Sequence, residues 1–182
     1  MPTYISILRG INVSGKNKIK MADLKSCYEK LGLDAVTTYI QSGNVVFRAT
    51  KTTSGKLENM LTGGIHKTFG MDVPVIVRTP DEIQRVIKGN PFLPDKEIDT
   101  ARLYVTFLQS LPASERLALL EDFSSPPDEF RIIGHEVYMH CPVSYGNSKL
   151  SNTFFENKLK VPATTRNWKT VNELMKMAEA IG

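Results

Sequence analysis

The chain is poor in cysteine, and its two cysteines lie far apart. Cys27 and Cys141 are the only ones in 182 residues, and neither belongs to a Cys-x-x-Cys pair. A chain of this size with two distant cysteines has no disulfide framework. The sequence therefore predicts two reduced thiols, with Cys27 on the apolar stripe of a helix and Cys141 after a strand.

Long apolar runs are missing as well. None approaches the roughly 20 residues that a membrane-spanning helix needs, so no membrane association is predicted. The stretch from Met1 to Ile5 lacks the basic region, apolar stretch and small-residue cleavage site of a secretory signal. Hydrophobic residues make up 41% and charged residues 23%, which is a globular balance and excludes disorder. We expect a cytoplasmic protein.

The formal net charge is +4, and its distribution is uneven. Residues 1–22 contain no acid and four basic residues: Arg9, Lys16, Lys18 and Lys20. Residues 148–169 contain one acid, Glu156, and five basic residues: Lys149, Lys158, Lys160, Arg166 and Lys169. Two basic ends are consistent with an anionic ligand, although lysines scattered over a solvated surface give the same count.

The spacing of apolar residues predicts an α+β protein in which one pattern occurs twice. The expected elements of the first half are strand 4–8, helix 21–31, strands 36–40 and 45–48, helix 57–69 and strand 73–77. Those of the second half are strand 101–108, helix 112–122, strands 130–133 and 137–140, helix 150–159 and strand 161–165. Both follow the βαββαβ order of ferredoxin-like folds with antiparallel sheets. We place the halves at residues 1–90 and 91–182, each ending in an extra helix.

A phosphate-binding motif, G-x-x-x-x-G-K, spans Gly10 to Lys16 and follows the first strand. In such loops, backbone N–H groups and the lysine surround phosphate oxygens. Asn17, however, replaces the Ser or Thr that holds Mg²⁺, the next helix is expected only at Met21, and no aspartate ends the strand that runs into Arg78. The motif therefore indicates a weaker anion site rather than a nucleotide-hydrolysing loop.

Two further polar strings have both a structural and a functional interpretation. Gln41, Ser42, Gly43 and Asn44 are typical of a hairpin turn in which Gly and Asn take positive φ, but the three polar side chains are also suited to hold a ligand. In the Arg166-Asn167-Trp168 string, the arginine is a planar donor for phosphate or carboxylate. There, Asn167 is also a candidate helix cap, and Trp168 lies on an apolar stripe that favours core packing.

Catalytic and metal-binding signals are weak. Ser148 beside Lys149 resembles a serine activated by an amine, but adjacent residues on a helix point in different directions, and an N-cap role for Ser148 is favoured. The three histidines have neither metal-ligand spacing nor an obvious acidic partner. We therefore predict no metal, no cofactor and no identifiable catalytic dyad.

Five strings of the sequence together point to one known family: Arg9 to Val13 with Gly15 to Asn17, Thr38 to Phe47, Asn90-Pro91-Phe92, Ser148-Lys149-Leu150 and Ala163 to Val171. On these strings the whole sequence resembles the bacterial domain-of-unknown-function family 1697. Ser14 departs from it, since glycine is expected there, and this weakens a tight backbone cradle. The resemblance implies a compact α+β protein with two ferredoxin-like subdomains, and it implies no established activity, substrate or cofactor.

The leading hypothesis is a protein that binds a small anionic molecule, phosphate- or carboxylate-bearing, between the two halves. The predicted ligand-binding residues are Arg9, Asn12, Lys16, Lys18, Gln41, Ser42, Asn44, Lys149, Arg166 and Asn167. They fall at strand ends and loops, where binding sites are usually built. Two alternatives are RNA binding, which ferredoxin-like sheets perform with exposed aromatic residues, and a protein-interaction module, which needs an exposed apolar patch.

Overall fold

The computed structural model describes all residues 1–182 and contains eight strands and six α-helices. The first seven elements are β1 (Thr3–Leu8), α1 (Met21–Lys30), β2 (Asp34–Tyr39), β3 (Asn44–Arg48), α2 (Ser54–Phe69), β4 (Val75–Arg78) and α3 (Pro80–Lys88). The remaining seven are β5 (Leu103–Leu108), α4 (Ser114–Ala118), β6 (Glu129–Ile133), β7 (Glu136–His140), α5 (Asn152–Leu159), β8 (Ala163–Asn167) and α6 (Trp168–Ile181).

The chain divides into two compact units. Unit 1 comprises Met1–Arg85 together with Glu173–Gly182, and unit 2 comprises Val86–Asn172. The division expected from the sequence, at residue 90, gives the whole C-terminal helix to the second half. In the structure α6 begins in unit 2, and its later turns belong to unit 1.

Each unit has one antiparallel four-stranded sheet with the same strand order. The order is β2-β3-β1-β4 in unit 1 and β6-β7-β5-β8 in unit 2. In both units the first strand is central and the second strand lies at an edge, which is the ferredoxin-like arrangement. The predicted α+β class with two βαββαβ-like subdomains is confirmed.

The core of unit 1 lies between its sheet and the helices α1 and α2. Strand β1 is buried along its whole length, because it is central and covered. Leu24 and Tyr28 of α1 and Leu61 and Ile65 of α2 pack in this core with no more than a trace of exposed surface. Cys27 is buried on the same helix, and both cysteines are free thiols, as predicted.

The core of unit 2 combines buried aliphatic side chains with a group of four phenylalanine rings. Phe155 is fully buried and contacts the rings of Phe130 and Phe154 at centroid separations of 5.7 and 5.2 Å. Phe123 extends the group through Phe154 and Phe130, at 4.8 and 6.2 Å. Trp168 is also buried, which confirms the prediction of a core role.

The helix predicted over residues 112–122 is much shorter than expected. Only Ser114–Ala118 is helical. The N–H groups of Leu119 and Leu120 then donate to the carbonyls of Arg116 and Leu117, three residues earlier, at 3.2 and 3.0 Å. These tight turns end the α-helix while still directing Leu120 into the core.

A capping box begins α3. The backbone N–H of Thr79 donates to the Glu82 carboxylate at 2.7 Å, and the N–H of Glu82 donates to the Thr79 hydroxyl at 3.3 Å. Such reciprocal bonds satisfy two of the open N–H groups of the first turn.

Among the helices, none combines the length and the apolar character needed to cross a bilayer.

Candidate functional site

The loop between β1 and α1, residues 9–20, is called the basic loop here. Its tip is a tight turn in which the N–H of Lys16 donates to the carbonyl of Val13 at 2.9 Å. Ser14 and Gly15, at the two central positions, have φ of 50° and 73°, as in a type I′ turn. Helix α1 begins only at Met21, so the loop lacks the glycine-rich turn directly into a helix that defines a nucleotide-hydrolysing loop.

The three lysines of the basic loop are exposed. Lys16, Lys18 and Lys20 all extend into solvent, and Arg9 at the start of the loop is half-buried. Val13 is also 56% exposed. The loop therefore presents several cations and one apolar side chain on a segment that contains no acid.

Asn12 holds the basic loop in place. Its side-chain amide donates to the carbonyl oxygens of Ile19 and Gln41 at 2.9 and 2.8 Å, and its side-chain oxygen accepts from the N–H of Ile19 at 2.9 Å. The Asn17 amide adds a bond to the carbonyl of Gly10 at 3.1 Å. Both amide hydrogens of Asn12 are thus used within the protein, which gives this predicted ligand residue a positioning role.

The turn between β2 and β3 lies against the basic loop. Gly43 has φ of +88°, and a Cβ placed on it would lie 2.6 Å from the Ile11 side chain and 2.9 Å from Leu8 Cβ. The N–H of Leu8 donates to the Gly43 carbonyl at 2.9 Å. Because only glycine fits here, the turn and the loop are tightly packed together.

The prediction of positive φ at Asn44 is wrong. Asn44 begins β3, is fully buried, and donates to the carbonyl of Tyr39 at 2.9 Å and to the Ser42 hydroxyl at 3.0 Å. Gly43 has the expected positive φ, and the second left-handed residue of the turn is Ile40, with φ of 48° and 48% of its surface exposed. For a β-branched side chain this conformation is strained.

Seven of the ten predicted ligand residues therefore lie in unit 1, on the basic loop and the adjoining turn. They are Arg9, Asn12, Lys16, Lys18, Gln41, Ser42 and Asn44. The two strands β1 and β3 pair in antiparallel register from Thr3–Arg48 to Ile7–Asn44. The last residues of β1 and the first residues of β3 therefore lie side by side at the same end of the sheet. Of the seven, Lys16, Lys18 and Gln41 are exposed, whereas Asn44 is closed off from solvent.

In unit 2, Arg166 is a buried residue of β8. It is 7% exposed, and its Nη1 donates to the Thr164 hydroxyl and the Thr165 carbonyl, both at 2.9 Å. Burial lowers the pKa of its guanidinium to about 10, and the nearby Tyr145 acts in the opposite direction. Its donors thus serve the structure of unit 2 at least in part.

The other two predicted residues of unit 2 differ in their environments. The side-chain oxygen of Asn167 accepts from the N–H of Thr170 at 2.8 Å, which confirms its role as a cap of α6. Lys149 is exposed in the loop before α5.

Ser148 is not the N-cap of α5, contrary to the prediction. Ser151 has that role and accepts from the N–H of Phe154 at 3.1 Å. The Ser148 hydroxyl donates to Asp128 at 2.6 Å and accepts from the N–H of Leu150 at 3.0 Å. The prediction failed because Asp128 is distant in sequence, and a local pattern does not reveal such a partner.

The thiol of Cys141 lies 4.0 Å from the Ser148 hydroxyl. Burial, followed by the charge of Asp128, raises the pKa of this thiol to about 11. A thiol with such a pKa is almost entirely protonated at neutral pH and is a poor nucleophile. No group of three or more His, Cys, Asp or Glu side chains is arranged to hold a metal ion.

Sequence reasoning missed a large cleft in unit 2. It has a volume of about 740 Å³ and lies between the segment 117–127 and the edge strand β6. Its apolar lining includes Leu117, Phe123 and Ile132. The one sequence signal is the set of apolar residues before Pro126 and Pro127, most of which fall within the helix predicted over residues 112–122.

Comparison with known proteins gives one matching family and one similar solved structure. A family described as "Protein of unknown function (DUF1697)" matches residues 1–138. A solved structure of a conserved bacterial protein from Streptococcus pneumoniae is similar over 97% of this chain and 98% of its own, with a TM-score of 0.75 and 21% sequence identity. No curated protein matches the chain. At this identity the structural likeness shows the fold.

Proposed function

Because the chain belongs to the DUF1697 family of proteins of unknown function, its activity has to be inferred from its own residues, and we propose that it binds a small anionic molecule at the basic loop. The observation that carries this proposal is a loop with three exposed lysines and no acid over residues 9–20. Such a one-sided charge distribution attracts and concentrates anions. The ligand class is a phosphate- or carboxylate-bearing small molecule.

The start of α1 supports the same proposal. Its N-cap residue, Lys20, has an extended backbone and makes no side-chain capping bond. The first N–H groups of the helix carry a partial positive charge and favour an anion. Asp23 in the first turn offsets part of that charge, so the lysines contribute most of the attraction.

Rigidity is a second reason to favour binding at this loop. Asn12 ties the loop to the β2–β3 turn, and Gly43 brings the turn into close contact with Ile11. A loop that is already ordered loses less entropy when a ligand binds. The strained backbone at Ile40 is of the kind that persists at functional sites.

The test is a thermal-stability screen of the purified protein against nucleotides, sugar phosphates, small carboxylates and short RNAs. A ligand at about 100 times its dissociation constant stabilises the folded protein by roughly 2.7 kcal/mol. The proposal predicts a hit among the small anions. If no small anion raised the thermal stability of the protein, the proposal would be contradicted.

A charge-matched pair of variants then locates the ligand. Lys16→Glu with Lys18→Glu changes the basic loop, and Lys25→Glu with Lys56→Glu changes two exposed lysines of α1 and α2 by the same net charge. The first pair should weaken binding by roughly tenfold or more, because it alters local contacts as well as the overall field. Equal losses in both pairs would mean that only net charge matters.

The participation of Lys149, Arg166 and Asn167 stays a prediction. Lys149→Ala is the cleanest test, since this side chain is exposed whereas Arg166 is buried. A loss of affinity for the small anion would add unit 2 to the site. Unchanged affinity would restrict the site to the basic loop and its turn.

RNA binding is less well supported. Four aromatic side chains of the two sheets, Tyr4, Phe47, Phe107 and Tyr138, are buried and are not exposed for the base stacking that ferredoxin-like RNA binders use. A steep salt dependence of RNA affinity, reduced by the Lys16 and Lys18 variants, would favour RNA over a small anion.

A further inference from the structure

The cleft of unit 2 results from a short helix. In unit 1 the helix after the first strand, α1, has ten residues, whereas its counterpart α4 in unit 2 has five. On β2, the corresponding edge strand of unit 1, Val36 is buried. On β6 of unit 2, Phe130 and Ile132 point to the helix side but stay only half-buried. The missing helical turns leave the cleft open beside β6.

Strand β6 also has a free edge. It pairs with β7 alone, and the register closes with Ile133 opposite Glu136 around a two-residue turn. In an antiparallel ladder, hydrogen-bonded residue pairs alternate with non-hydrogen-bonded pairs. Counting from the Ile133–Glu136 pair that closes the turn, Ile132 and Phe130 fall in non-hydrogen-bonded pairs. Their backbone N–H and C=O groups therefore point away from β7. The Arg131 guanidinium donates to the Phe130 carbonyl at 2.9 Å, which agrees with that carbonyl facing outward.

The other three edge strands are protected. Glu58 of α2 accepts from the N–H of Val77 in β4 at 2.9 Å, and Glu156 of α5 accepts from the N–H of Ala163 in β8 at 3.4 Å. Strand β2 has an irregular register between Asp34 and Thr37, and such bulges hinder further pairing. Strand β6 has a regular five-residue register and no helix side chain bonded to its edge.

The charged residues around the cleft are mainly acidic. Glu121, Asp128 and Glu129 line it together with a single cation, Arg131. Arg131 is also engaged, since it lies 3.7 Å from the Glu129 carboxylate and over the ring of Phe92. Glu129 is engaged by the same contact and Asp128 by the Ser148 hydroxyl, but the lining keeps a net negative charge, which complements a cationic partner.

We propose that β6 and the cleft bind an extended peptide segment of another protein, in which apolar residues alternate with lysine or arginine. The segment adds a strand to the sheet by pairing with the backbone of Ile132. Its alternate side chains enter the apolar cleft, and its basic residues face the acidic rim. This interaction is independent of the anion site, which lies in unit 1.

The probe is a fluorescein-labelled peptide of about seven residues that alternates lysine and valine, a length that matches a strand of β6's size. Fluorescence anisotropy should show saturable binding in the micromolar range. A peptide with glutamate in place of lysine should not bind. The same lysine peptide with N-methyl groups on alternate backbone amides should bind at least about tenfold more weakly, because it cannot pair as a strand.

Two isoleucines on β6 provide matched protein variants. Ile132→Asp places a charge in the cleft, whereas Ile133→Asp changes the neighbouring residue, which is already 50% exposed. The first should abolish binding and the second should leave it unchanged, with circular dichroism confirming that both variants are folded. Arg131→Ala removes the one cation and uncovers the Phe130 carbonyl, so it should tighten binding several-fold.

Three results would overturn the proposal. Equal affinity for the N-methylated peptide would exclude strand pairing, and absence of binding by the lysine peptide would exclude the stated chemistry. A dimer in sedimentation analysis that Ile132→Asp dissociates would identify a second copy of the chain as the occupant of β6.

Discussion

Replacement of Gly43 by alanine tests the contact that joins the basic loop to the β2–β3 turn. Two costs add at this position. An L-residue in the left-handed region costs about 1–2 kcal/mol, and the φ of Gly43 is +88°. The new methyl group would also lie 2.9 Å from Leu8 Cβ, which belongs to a central strand and cannot move away. Such overpacking costs typically about 1–3 kcal/mol.

The expected loss in the free energy of unfolding is therefore about 2–5 kcal/mol, the sum of these two ranges. Gly10→Ala is the matched control. Gly10 has φ of +72°, but nothing lies within 4 Å of a Cβ placed there. It should lose only the conformational part, about 1–2 kcal/mol.

Urea unfolding followed by circular dichroism measures both variants, with the transitions of the two units fitted separately because the chain need not unfold in one step. The difference between Gly43→Ala and Gly10→Ala isolates the packing cost. If the two variants lose the same free energy, the turn and the loop are not packed as described, and the rigidity assigned to the anion site fails with it.

Three further predictions concern other parts of the chain. Burial raises the pKa of Glu58, so the folded protein binds this proton more tightly than the unfolded chain does. We therefore compare the free energy of unfolding of the wild type with that of Glu58→Gln at each pH. The wild-type value minus the variant value should be greatest at low pH and fall as pH rises from about 4 through the folded pKa. A difference that does not change with pH would contradict this. Cys141, whose pKa is raised to about 11, should resist iodoacetamide at about pH 8 in the folded protein and react after unfolding, as peptide mass spectrometry would reveal. Asn167→Ala should cost about 1 kcal/mol through the lost cap of α6, and an unchanged urea midpoint would exclude that role.

Local chemistry made much of the fold predictable. The capping box of Thr79 and Glu82 is complete within four residues, and the hairpin around Gly134 and His135 is specified by its own turn. The same strand order in both units follows from the repeated βαββαβ pattern. The capping box and the hairpin turn are formed by residues that are close in sequence, so their local pattern is sufficient. The strand order could be inferred only from the repeated order of elements, because β1 pairs with β3 and β4, which lie far along the chain.

The wrong predictions at Asn44 and Ser148 involve partners that are distant in sequence, whereas the helix expected over residues 112–122 ends early through hydrogen bonds between residues three apart. Asn44 was assigned to a turn, but pairing of β3 with β1 buries it. Ser148 was assigned to a helix cap, but Asp128 binds it. The left-handed φ of Ile40 contradicts the intrinsic preference of a β-branched residue. A single sequence contains no direct record of such contacts.

The shared helix α6 has a consequence for the order of synthesis. Unit 1 needs Glu173–Gly182 to be complete, and Gly182 lies beside Thr3 at the start of β1. Every residue of unit 2, from Val86 to Asn172, is made before those ten. Although domains generally fold from the N-terminus during translation, here the unit that starts first receives its last segment only after the other unit has been fully translated.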